Sequence, residues 1–381
     1  MQEVPVEICP YYNNHQTAAS LMMDDLAPAA VIPHGSLAPF LDHGYGMDEK
    51  GGHYHYFKSQ FLARYPEVKG TFFILTEYHS RHVPGHQGYQ VKRREWDTPY
   101  FDFLRRLKPQ FSLAFHGTNH GEEKHGVMQH EFSYRRLDEV DDIRKSIQNF
   151  ENAAQINFFG GKFPGYQAND QALAIVEKLG FHWWAHGHDM KNKRRKSSKP
   201  YYLQGGKLLN LPTNISGDSF KSFLNRKTWP PLAKVLYRRY HFAKAEAHLH
   251  WLYEKGWPIT VQEHFSTMRT NGTFQRPNVF DDLNALEHIY SLLRGADIWH
   301  CTCDELAHYI VAKDHSTLRQ KDHQLEIQYR GSYAQVELSL RSKERFLLKS
   351  DHQQISPLKR GSYWVYNNLR PGVYTMEAFA K

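Results

Sequence analysis

Residues 18–25 read AASLMMDD, and residues 111–120 read FSLAFHGTNH. Each is a short apolar run that stops on groups able to hold a proton or a cation. The first ends in two adjacent carboxylates, the second in two imidazoles four residues apart. A short apolar run bounded by polar or turn-forming residues reads as a buried strand. The same reading applies to 69–76 (KGTFFILT), 156–163 (INFFGGKF), 181–186 (FHWWAH), 207–213 (KLLNLPT) and 258–264 (PITVQEH). Helical patterns fall between them, at 56–66, 98–107, 138–154, 169–179 and 232–255. The clearest helix is 280–294 (FDDLNALEHIYSLLR), with apolar residues at helical spacing behind an acidic first turn. Alternating β and α segments argue for a parallel sheet covered by helices. About seven strands over this length suit a closed or distorted barrel better than an open sheet.

Two stretches interrupt the alternation, 33–55 and 78–97, the first rich in Gly and His. Long loops inside a compact domain carry function or are mobile. Both follow strands, so in a parallel barrel they would overhang the face where the strands end. After about residue 316 the character changes. Residues 323–330 (HQLEIQYR), 334–341 (AQVELSLR), 345–349 (RFLLK), 363–366 (YWVY) and 372–379 (GVYTMEAF) alternate apolar and polar, the signature of a small antiparallel unit. The expected organisation is α/β: a barrel over 1–315 carrying both insertions, then a β-sandwich-like accessory domain over 316–381.

Composition narrows the class. Of 381 residues, 40% are hydrophobic and 23% charged, which excludes a disordered chain. The 48 Lys and Arg against 40 Asp and Glu leave +8, which suits an anionic partner without deciding the fold. Much of the excess lies in one run, KNKRRKSSK at 191–199. No nucleic-acid motif accompanies it, so nucleic acid is not an expected partner. Three cysteines, Cys9, Cys301 and Cys303, make neither a disulfide framework nor a four-thiolate zinc site. Residues 1–17 lack the basic start and apolar core of a signal peptide, and no apolar run is long enough for a transmembrane segment. The expected location is the cytoplasm.

Two carboxylates leaving a buried strand side by side, as at Asp24 and Asp25, repel unless a cation or a shared proton relieves them. An isolated Asp-Asp ordinarily caps a turn, so partners decide. His116 and His120 supply them, since four-residue spacing can set two imidazoles on one face around a metal. The spacing alone is weak. With 25 histidines in the chain, chance gives roughly two such pairs, and His82/His86 and His182/His186 share it. Position separates them. His116 ends a strand and is followed at once by Gly117, whereas His82/His86 lies in an insertion and His182/His186 within a strand. Asp24-Asp25 end a strand, as do Pro164-Gly165-Tyr166 and His264. In a parallel barrel the carboxyl ends of the strands converge on one face, where active sites lie.

That order of motifs, over roughly residues 18–312, resembles the polysaccharide deacetylase family, carbohydrate esterases that remove N- or O-acetyl groups from sugars on a distorted (β/α) barrel. The resemblance implies that Asp25, His116 and His120 hold one divalent cation, zinc first, with cobalt, nickel or iron(II) as alternatives. It implies Asp24 as catalytic base and the Tyr166 amide as an oxyanion donor. It makes His264, on the opposite side, the general acid. Lys162 stands where the family has Arg, and would orient Asp24 with a point charge rather than a fork. Leu26 replaces the usual Gly. The family's Asp-Trp pair falls on Asn192 and Lys193, with Asp189 nearby. The implied function is removal of an acetyl or formyl group from an N-acylated sugar. Its substrate would be a sugar nucleotide or lipid-linked saccharide, a precursor of a surface polysaccharide such as O-antigen, whose phosphates suit the 191–199 run. The alternative is a carbohydrate-binding protein that keeps the metal and groove but has lost turnover. The loop histidines His53, His55, His79 and His86 read first as solvated loop residues and second as sources of an extra ligand.

Overall fold

A computed structural model of the chain describes residues 5–26, 29–33, 53–77, 89–93, 98–124, 127–187, 199–203, 206–220, 230–265 and 277–378. Most of both insertions, the basic run up to residue 198, Asp189, Asn192, Lys193, His79 and His86 lie outside the described residues. By compactness the chain divides in two. One unit comprises Ala19–Ala296 and His300–Asp304, the other Met1–Ala18, Asp297–Trp299 and Glu305–Lys381.

In the larger unit the strands Thr17–Leu26, Gly70–Ile74, Phe111–Phe115, Gly160–Lys162 and Trp183–Ala185 lie side by side and parallel, in that order. Ile259–His264 pairs with the other side of Thr17–Leu26. One passage of chain joins the two edges. Leu209–Asn210 runs parallel to Trp183–Ala185, and Ile215–Ser216 runs parallel to Ile259–His264. Between them Leu211 N donates to Trp184 O at 3.0 Å and Asn214 N to Thr260 O at 3.2 Å. Residues 209–216 therefore bond first to one edge and then to the other, closing seven parallel strands into a distorted barrel. The strand expected at 207–213 is the first half of this crossing.

The central strands are buried along nearly their whole length, as strands covered on both faces must be. Aromatic rings fill much of the space, with Phe72, Phe73, Phe115, Trp183 and Trp184 fully buried. Gly160 and Gly161 make room for the two indoles. A Cβ at Gly160 would lie 2.1 Å from the Trp183 ring, and one at Gly161 would lie 2.3 Å from that of Trp184. Helix Val140–Ala154 shows why the covering layer forms. Val140, Ile143, Ile147, Phe150 and Ala154 recur at helical spacing and are buried, Asp141 and Asp142 complement the first turn, and Gln155 ends it with φ 54°.

The smaller unit is built from two antiparallel sheets. One runs Val6–Ile8, Leu338–Ser342, Tyr363–Leu369, Leu358–Arg360, and the other Ser316–Lys321, Gln324–Tyr329, Gly372–Ala378, Phe346–Lys349, Gln354–Ile355. Leu325, Leu338, Leu340, Leu348, Val365 and Leu369 are fully buried in it. The Phe346 and Tyr366 rings stack with centroids 4.6 Å apart, and the Tyr366 hydroxyl donates to Phe346 O at 3.1 Å.

Candidate metal centre

Adjacent residues of a regular strand point to opposite faces, so Asp24 and Asp25 could not serve one site from an unbroken strand. The strand is broken. In its pairing with Gly70–Ile74, Met23 faces Phe72 and Leu26 faces Ile74, so one extra residue is accommodated between them. This bulge re-aims the two carboxylates. Asp25 takes φ 66°, in the left-handed region that non-glycine residues seldom occupy. His120 (φ 65°) and Tyr166 (φ 54°) share that conformation. Strained backbone of this kind persists where the surroundings over-determine it, and it clusters at functional sites.

The three expected donors meet. His116 Nε2 lies 3.6 Å from Asp25 Oδ1, and His120 Nε2 lies 3.5 Å from the same oxygen. A zinc ion with tetrahedral bonds of about 2.0–2.1 Å sets its donors about 3.4 Å apart, so both separations suit such a cation, and all three donor atoms lie within 4.8 Å of one another. Among the described residues, no other group of three His, Cys, Asp or Glu donors comes together in this way. The tautomer fits too. His116 Nδ1 is 3.1 Å from Lys162 O, and because a carbonyl only accepts, Nδ1 carries the proton and Nε2 is left bare. Burial lowers the pKa of His116 to about 3 and that of His120 to about 4, so both rings are neutral at pH 7, as ligands must be. Burial pushes Asp25 up to about 6. A divalent charge among these groups would reverse that cost.

Asp24 is the centre of a second network. Its Oδ2 lies 2.5 Å from Lys162 Nζ, accepts from Gln262 Nε2 at 3.0 Å, and stands 3.4 Å from His264 Nε2. Burial raises its pKa, but the Lys162 ammonium, with His116 and His264, more than offsets this and holds the carboxyl below its usual range. Oδ1 is buried and has no hydrogen-bond partner among the described residues.

Among solved structures, the chain is similar to polysaccharide deacetylases. A protein assigned as one from Mycobacterium smegmatis overlaps 84% of this chain and 100% of its own, at 16% identity and a TM-score of 0.46. Another, from Pseudomonas aeruginosa, overlaps 79% and 93% at 14% identity and 0.44. A pseudoenzyme from Bacillus anthracis overlaps 78% and 68% at 12% identity and 0.34. Neither a protein-family model nor a curated protein sequence matches the chain.

The structure places two of the expected residues differently. His264, expected across from Asp24, stands beside it, level in the register of the adjoining strands. Its Nδ1 lies 2.7 Å from Pro277 O, which fixes the proton on Nδ1 and leaves Nε2 facing Asp24. The Tyr166 N–H, expected at the oxyanion, donates to Phe163 O at 3.0 Å within its own turn. What Tyr166 brings to the network is its phenol, 2.5 Å from Thr213 Oγ1 and donating to Gln262 Oε1 at 3.1 Å, with Lys162 Nζ 4.5 Å from the ring centroid. Gln262 and Thr213 are members that sequence reasoning missed. Gln262 was findable, since it lies two residues before His264 on one strand and so on the same face. Thr213 carried no such signal.

Proposed function

We propose that this protein is a metal-dependent hydrolase that cleaves the amide bond of an N-acylated sugar, releasing acetate or formate. The observation that carries the reading is the Asp25, His116 and His120 triangle set directly beside a buried, cation-paired Asp24. Asp25 Oδ1, His116 Nε2 and His120 Nε2 would hold the ion, with zinc the first choice. When bound, such a cation supplies Lewis acidity at the acyl oxygen and acidifies water. The protein's own residues handle the protons. Asp24 Oδ1 accepts the proton of the attacking water while Lys162 and Gln262 hold Oδ2 in place. His264, whose bare Nε2 lies 3.4 Å from Asp24 Oδ2 and whose ring Pro277 O anchors on the far side, would take up a proton from solvent and deliver it to the leaving amine, while the proton on Asp24 Oδ1 passes to water. Lys162 and Gln262 together do the work of a two-point clamp that Lys162 alone could not.

The substrate in this proposal is a nucleotide-linked or lipid-linked precursor of a surface polysaccharide such as an O-antigen, met in the cytoplasm. The net charge of +8 suits its phosphates. The test is direct. Zinc-loaded protein is incubated with N-acetyl and N-formyl aminosugar nucleotides, and free acetate or formate is measured. Release is expected, and Asp24→Asn, shown to be folded and metal-loaded, is expected to abolish it. Folded, metal-loaded wild type that binds these sugars without hydrolysing them would favour a binding protein instead.

A further inference from the structure

The residue that shapes the H-x-x-x-H loop lies outside it. Glu131 follows the hairpin formed by Gly121–Lys124 and Val127–His130, and its backbone N donates to His120 O at 3.1 Å. Its carboxylate, fully buried, accepts from Thr118 N at 2.7 Å and Asn119 N at 3.2 Å through Oε2, and from Thr118 Oγ1 at 2.7 Å through Oε1. Arg135 closes the network, with Nε 3.0 Å from Glu131 Oε1 and Nη2 donating to Thr118 Oγ1 at 3.0 Å. Thus one side chain and its own amide bind residues 118, 119 and 120 in succession. Gly117 (φ 98°) completes the fit, since a Cβ there would lie 2.4 Å from Glu131 Oε2. His120, left-handed at φ 65°, depends on such outside support to stay where it is.

We propose that Glu131, with Arg135 as its counter-charge, is a positioning residue for the metal centre, holding the His116 and His120 imidazoles at donor spacing. The proposal rests on the reading of that site given above. Residues behind a ligand typically carry about 10–100-fold of metal affinity, which sets the scale of the effect. The experiment is chelator competition with Co2+ on the full-length protein, together with the visible absorption of the bound cobalt. Wild type is expected to bind one ion. Glu131→Gln, folded by circular dichroism, is expected to lose about 10–100-fold in affinity and to show an altered cobalt spectrum. Thr118→Val is nearly isosteric, removes a single hydroxyl, and is expected to move both readouts in the same direction by about tenfold. It decides the matter if Glu131→Gln does not fold. A merely structural role would lower the unfolding temperature and leave affinity and spectrum unchanged, and that result in a folded variant overturns the proposal. Asp25→Asn separates the two levels. If wild type and Asp25→Asn take up cobalt equally, the reading of the site has failed, and the role of Glu131 with it.

Discussion

At the scale of single residues, the ion pair between Lys162 and Asp24 stands out because both side chains are almost wholly buried. Breaking a buried pair by removing one partner strands the other charge away from water. Lys162→Met is therefore expected to cost about 3–5 kcal/mol in urea unfolding. The double variant Lys162→Met with Asp24→Asn removes both charges and should be more stable than Lys162→Met alone. If it is less stable, the pair is not the source of the loss. The cysteines offer a second check. Cys9, Cys301 and Cys303 are fully buried, and burial pushes Cys9 up to about 12 and Cys303 up to about 11. Reactive thiols are exposed thiolates, so a thiol reagent at pH 8 should label none of the three in the native protein and all of them after denaturation.

At the scale of elements, the barrel depends on close approach between neighbouring strands. Gly160→Ala would drive a methyl into the Trp183 ring and is expected to cost about 1–3 kcal/mol of stability by overpacking. Gly187→Ala, where no heavy atom of the described residues lies within 4 Å of the added Cβ, should stay within about 0.5 kcal/mol of wild type in the same unfolding assay. The strands themselves were legible because burial on both faces writes a continuous apolar run, as in FSLAF, and helix Val140–Ala154 was legible because one buried face writes a helical period. The bulge at Asp24-Asp25 was not legible. A bulge is a mismatch between two strands, and nothing in either strand alone records it. The crossing at 209–216 was hidden for the same reason, because its two halves answer to different edges of the sheet.

At the scale of the whole molecule, metal and pH should both move stability. A cation that binds only the folded site stabilises by about 2.7 kcal/mol at a hundred times its dissociation constant. A chelator is therefore expected to lower the unfolding temperature of zinc-loaded protein, and added zinc to restore it. Unchanged unfolding on stripping would argue that no ion is held. For pH, burial lowers the pKa of His182 and of His186. The unfolded chain then takes up these protons at a higher pH than the native protein does. Their contribution is fully present above about pH 6.5, the unfolded value, and is lost as pH falls towards the native one. Thermal unfolding should show wild type losing stability between pH 7.5 and pH 5.5, and His182→Gln losing less. An equal loss in both would remove His182 from the account.

By itself the sequence determined the main strands of the barrel and the helices that cover them, that alternating strands and helices make a parallel sheet, and which strands end in groups able to bind a cation or move a proton. Those properties are local, since periodicity and the identity of a terminal residue need no knowledge of the rest of the chain. Only the tertiary structure decided which atoms meet. Register set His264 beside Asp24 rather than across from it, a turn claimed the Tyr166 amide, and a hairpin delivered Glu131 beneath the histidines. Each depends on where a distant segment comes to rest, and a distance of 3 Å between residues far apart in the chain leaves no trace in either one's neighbours.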